Sequence, residues 1–278
     1  MKKLLGILCT IAITVLSVFG VFGFAGCGGD ELVVYTEAGF APFEYISKGK
    51  IVGVDVDIMK KVGEKLGKKV KFENVNFDII IDSVSAGKLC NVGAAGISIT
   101  DERKQYVDFS EEYYTASLYV IYKVADATAY ESTTTDNVTG IYWDQLKGKK
   151  IAIQTGTTAD LFLGDELDEG GVLYGSGAKV VQCTALSTAV ANIGSGDADV
   201  VIIDELPAQQ LIKNDSSLKC SPLYYKGDEG ENDEPAVDVY AICVTKGQTE
   251  ILNAINEVIA ELGKDGIQAL VNHHLGIS

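Results

Sequence analysis

Apolar and polar positions along this chain follow strand and helix periods in turn. Leu32-Val33-Val34-Tyr35 predicts a strand entering the turn Gly39-Phe40-Ala41-Pro42. From Val54 to Leu66, apolar Ile58, Met59, Val62 and Leu66 recur at helical spacing among lysines and acids. Val70–Val75 alternates as a strand, a helix from about Asp78 to Ala86 stops at Gly87, and Val92–Gly96 returns to the sheet. The pattern then restarts. Strand Lys149–Ile153 enters the turn Gly156-Thr157-Thr158, and a helix runs through Leu161 and Leu167. Strand Lys179–Cys183, a helix from Leu186 to Ile193 ending at Gly194, and the buried strand Ala198–Asp204 follow. Such alternation means βαβ units and a mainly parallel sheet. Two α/β lobes of similar build are expected.

Two β-rich runs, Tyr113–Lys123 and Asp238–Thr245, are expected to cross between the lobes near 115–122 and 239–246 as a two-stranded hinge. This divides the chain into a first lobe of 27–118 plus 246–278 and a second of 119–245. Helices from about Glu250 to Gly263 and from Asp265 to Leu275 then pack on the first lobe. Asp126–Thr139 and the acidic stretch Gly227–Pro235 read as solvated loops. In open α/β sheets, ligands bind beyond the carboxyl ends of the strands.

The first residues follow a different rule. Lys2 and Lys3 precede an uncharged apolar run from Leu4 to Phe24, and Ala25-Gly26 stand directly before Cys27. This is the layout of a secretory signal, 1–26, and its exit resembles the bacterial lipobox, which makes Cys27 a lipid anchor to the membrane. Cleavage removes two lysines and no acid, taking the formal charge from −16 to −18. An excess of 39 Asp and Glu over 23 Lys and Arg repels phosphate backbones, so no nucleic-acid partner is expected. Cys90, Cys183, Cys220 and Cys243 lie in or beside apolar runs with no CxxC spacing. They read as buried thiols, with a disulfide among the last three as the alternative.

Four constellations could carry chemistry. Gly96 and Ser98 end a strand ahead of Thr100-Asp101-Glu102-Arg103. Arginine's planar fork matches a carboxylate, although Thr100 could equally cap a helix and leave Arg103 exposed. Gly156-Thr157-Thr158 opens a helix, where free N–H groups attract anions, or where Thr157 simply caps. Asp204 ends an apolar strand, either as the next helix's cap or as a partner for a ligand cation. Around the turn from Glu37 to Phe43, Phe40, with Phe77 opposite, could wall a small solute or belong to the core. His273 and His274 are adjacent, without metal-ligand spacing, and the acidic stretch lacks the spacing of a calcium loop, so no metal or cofactor is expected.

In order, Phe40–Tyr45, Gly53–Ile58, Gly96–Arg103 with Val107–Ser110, Gln154–Thr158, Asp204-Glu205 and Lys264–Leu270 resemble the bacterial extracellular solute-binding proteins for polar amino acids. The resemblance spans essentially the whole mature chain. It implies a periplasmic-binding-protein-like type II fold and a monomer that traps an amino acid for an ABC permease. It further implies that Arg103 takes the ligand α-carboxylate with Ser98, Thr158 and backbone at Gly96, and that Asp204 takes the α-ammonium. Phe40 and Phe77 flank the side chain, and Glu37 faces its distal group, favouring a basic amino acid. The family's acid near Cys90-Asn91 is missing. Two other classes share this build. One is a dehydratase of the cyclohexadienyl type, for which Glu37 is the candidate general acid. The other is an amino-acid sensor domain, which would continue into a membrane helix where this chain stops at Ser278.

Overall fold

A computed structural model describes residues 31–277, so the signal segment and Cys27 lie outside the described residues. Eight strands form its main path. They are β1 (Glu31–Thr36), β2 (Lys69–Asn74), β3 (Val92–Ser98), β4 (Tyr114–Lys123), β5 (Lys150–Gln154), β6 (Lys179–Cys183), β7 (Val200–Asp204) and β8 (Val237–Thr245). The helices of seven or more residues are α1 (Val54–Leu66), α2 (Ile80–Ala86), α3 (Thr158–Leu167), α4 (Leu186–Ser195), α5 (Glu205–Ile212) and α6 (Thr249–Leu275).

The strands lie in the order β6-β5-β7-β4-β8-β3-β1-β2. Within it β1 is parallel to β2 and β3, and β5 is parallel to β6 and β7. Each half thus has the same build, closed on its inner edge by an antiparallel strand: β8 against β3, and β4 against β7. β4 and β8 also pair with each other, Tyr114–Ser117 against Val237–Tyr240. The chain is a two-lobed α/β protein, and its sheet runs on through the hinge. β3 and β7 are buried at every position, as parallel strands covered on both faces must be.

Several expectations need adjustment. Helix α4 passes through Gly194 and ends at Ser195, because the left-handed position belongs to Gly196 (φ 82°). The two C-terminal helices form one run with non-helical backbone at Gly263. They pack on α1, where Lys65 reaches Glu257 (3.0 Å) and Glu261 (2.7 Å). His274 fits between the Tyr45 hydroxyl (3.2 Å) and Asp57 (3.0 Å). Within the expected loop 126–139, Ala127–Tyr130 is helical and Ser132–Thr133 pairs with Thr139–Gly140. The acidic stretch is not wholly solvated either. Asp233 is buried and accepts from the Thr135 amide (2.7 Å) and the Tyr142 hydroxyl (2.7 Å), which ties the two extensions together.

All four described cysteines are free thiols. Burial pushes Cys90 and Cys220 up to about 11 and Cys243 up to about 12, so none offers a reactive thiolate near neutral pH.

Candidate ligand-binding site

The carboxyl ends of β3 and β7 converge where the lobes meet, on a small cavity. Glu37, Phe40, Phe77, Gly96, Ser98, Thr158 and Asp204 line it, together with Glu44, Ala95, Gln154 and Thr157. Seven of the eight residues expected from sequence are thereby brought together. The eighth, Arg103, stands behind that wall. Its Nη1 donates to the Ser98 carbonyl (2.7 Å), its Nη2 to the Gly156 carbonyl (2.8 Å), and its guanidinium carbon lies 5.7 Å from the centre of the Phe77 ring.

At Thr100–Arg103 the structure keeps the capping threonine of one reading without its exposed arginine. The Thr100 hydroxyl does cap, accepting from the Arg103 amide at 3.1 Å, yet Arg103 is 6% exposed. Burial pushes its guanidinium down, and the nearby Asp238 opposes that. At Gly156-Thr157-Thr158 the roles divide between neighbours. Thr157 caps α3 by accepting from the Asp160 amide, while the Thr158 hydroxyl turns to the cavity wall.

Gly96 matters through space. Its φ is +55°, and a Cβ there would come within 2.7 Å of the Phe40 ring. Only glycine suits that backbone and that approach. Its N–H donates to Asp55 Oδ2 at 3.0 Å, and the Tyr113 hydroxyl donates to the other oxygen. Burial pushes Asp55 up to about 6 despite those two bonds.

Asp204 precedes α5 but makes no side-chain cap. It is 8% exposed, and its Oδ1 is buried without a hydrogen-bond partner. The Tyr240 hydroxyl is close enough to favour its charged form, yet neither group closes a well-formed bond with the other. Burial first, and Asp238 second, push Asp204 up to about 7. Burial also raises Glu37, against the pull of the Gly39 amide and the Gln154 side chain.

Two site residues escaped the sequence reading. Asp238 Oδ2 accepts hydrogen bonds from both Ser98 and Thr158, bridging a first-lobe and a second-lobe hydroxyl from the hinge strand. Glu44 is fully buried against the cavity with both oxygens unpartnered. Among the described residues, no group of three or more His, Cys, Asp or Glu could hold a metal ion.

Residues 32–277 match the bacterial extracellular solute-binding proteins, family 3. The chain belongs to that family. Membership places it outside the cytoplasm and among solute-binding proteins, and lends the dehydratase reading no support. A probable histidine-binding protein of Campylobacter jejuni is 29% identical over 236 residues, 84% of this chain and 80% of the relative. The substrate-binding protein AbpA of an amino-acid ABC transporter from Streptococcus pneumoniae, solved with L-arginine, superposes with a TM-score of 0.72. It is 27% identical, over 89% of this chain and 95% of that one. An ancestral arginine-binding protein solved with glutamine gives a TM-score of 0.69 at 31% identity, over 90% and 99% of the two chains.

Proposed function

We propose that this chain is the amino-acid-binding component of an ABC importer, which closes its lobes on a basic amino acid and presents it to a membrane permease. It works as a monomer held to the membrane by lipid on Cys27. The observation that carries the ligand reading is the charge of the cavity. Glu37, Glu44 and Asp204 line it, and Arg103 stands behind it. A zwitterion leaves water at a high cost unless both its charges are met. Arg103, with the hydroxyls of Ser98 and Thr158 turned from Asp238, meets the α-carboxylate, and Asp204 meets the α-ammonium. Phe40 and Phe77 flank the side chain, and Glu37 takes a distal cation. Relatives solved with arginine support that charge preference, while the glutamine-bound relative supports the same trap with a neutral side chain.

The first lobe, 27–118 plus 246–278, carries Arg103, and the second, 119–245, carries Thr158 and Asp204. Strand pairing supports the first crossing, since β4 passes from β8 to β7 between Ser117 and Leu118. We place the second crossing toward the start of β8, where Val237–Tyr240 pair with β4 before Tyr240–Val244 pair with β3. Full contact needs both lobes, so ligand favours the closed form by differential contacts.

A thermal-shift screen of the purified protein against the common amino acids, after refolding to strip carried-over ligand, tests this reading. A ligand at 100 times its Kd adds about 2.7 kcal/mol of stability. The expected result is a shift with arginine, lysine or histidine. A shift only with neutral amino acids discards the role of Glu37, and none with any amino acid discards the site.

A further inference from the structure

We propose that Glu44 is a second specificity-determining carboxyl, which gives up a proton to solvent when a cationic amino-acid side chain enters the cavity. This deepens the basic-amino-acid reading and rests on it. Glu44 opens the short strand Glu44–Ser47, is 0% exposed, and lines the same cavity as Glu37, Gly96 and Asp204. Both its oxygens are buried without a partner inside the protein, so the fold itself supplies no donor that would stabilise a carboxylate. Burying an unmatched acceptor is costly, and burying an unmatched charge far more so.

Its neighbours do nothing to offset that cost. The groups that face it are Glu37 after β1, Asp55 on α1, Asp204 at the end of β7 and the Tyr113 hydroxyl ahead of β4. None of these is a cation. Burial first, then Asp55, Glu37 and Asp204, hold its carboxyl well above the usual range. Before ligand arrives, the neutral acid is therefore the favoured form. A guanidinium or ammonium brought into the cavity reverses that preference, because charge-assisted hydrogen bonds favour the ionised acceptor. The Glu44 O–H bond breaks, its proton passes to the buffer, and the carboxylate stays with the ligand cation. A neutral side chain brings no such charge, and the proton stays.

Titration calorimetry with L-arginine and with L-glutamine, each in two buffers of different ionisation enthalpy at one pH, counts the protons exchanged. Both ligands present the same α-ammonium to Asp204, so the difference between them isolates the distal acids. Arginine is expected to release about one proton more than glutamine, and Glu44→Gln to abolish that difference. Equal counts for the two ligands overturn the proposal, as does a difference that survives in Glu44→Gln. Arginine giving no binding heat at all, beside a clear glutamine signal, overturns the basic-ligand reading and this proposal with it. That failure differs visibly from arginine binding without a buffer-dependent heat. Should Glu44→Gln fail to fold, the same pair of titrations in Glu37→Gln decides: a persisting difference supports Glu44, and its loss overturns the assignment.

Discussion

Arg103 reaches carbonyls of both lobes at once, Ser98 on one side and Gly156 on the other. In the proposed role, truncating it removes the counter-charge for a ligand carboxylate and a link across the cleft together. Arg103→Ala should weaken amino-acid binding by about 3–5 kcal/mol, two decades or more in Kd by calorimetry. A loss under about tenfold would show that the carboxylate binds elsewhere. Asp204 makes a prediction about pH. Between its ordinary value and about 7, the folded protein keeps a proton that the unfolded chain has lost. The native state binds more protons there, so stability falls as pH rises through that window. Asp55 adds to the fall up to about 6. Melting curves of the unliganded protein should show it, with a shallower slope in Asp204→Asn. Ligand affinity should move the opposite way, rising with pH through about 7 as Asp204 takes the charge that an ammonium needs. Asp204 and Thr158 were legible as residues of the cavity wall because each stands at a strand end or helix start within an ordered motif. Glu44 and Asp238 were not, because what marks them is the absence or identity of partners far away in sequence.

At the scale of elements, the cavity wall depends on a junction between α1 and β3. Asp55, in the first turn of α1, holds the Gly96 amide at the point where β3 delivers the site, and holds the Tyr113 hydroxyl as well. Asp55→Ala leaves both donors buried and unmatched. It should cost about 2–4 kcal/mol of stability in urea titrations and should also weaken ligand binding, because the wall behind Phe40 loses its anchor. A stability loss below about 1 kcal/mol would mean that water or a shifted side chain replaces the carboxylate. The sequence pattern located α1 and β3 but was silent on this junction, because Asp55 and Gly96 are 41 residues apart. Local chemistry also misplaced one stop. A glycine is tolerated inside a helix at about 1 kcal/mol, so Gly194 alone could not end α4. The short helix and hairpin of residues 127–140 were invisible for a related reason: long-range partners such as Asp233 order them, while their own period is too brief to read.

At the scale of the whole molecule, the two lobes were legible because the strand and helix pattern repeats, and the hinge because its two β-rich runs fit neither repeat. Their pairing with each other, which fuses both sheets, depends on register that no single run carries. That arrangement sets an order of assembly. The second lobe is built from one stretch, β4 through the strand Leu218–Tyr225. The first lobe stays open at its inner edge until β8 pairs with β3 and α6 covers α1, two contacts between segments far apart in sequence. Local contacts form before distant ones. Pulse-labelled hydrogen exchange during refolding should therefore protect β5, β6 and β7 ahead of β3. The lobe holding Arg103 remains unfinished until the C-terminal strand and helix arrive, so a chain truncated before β8 should yield a folded second lobe beside an unfolded first.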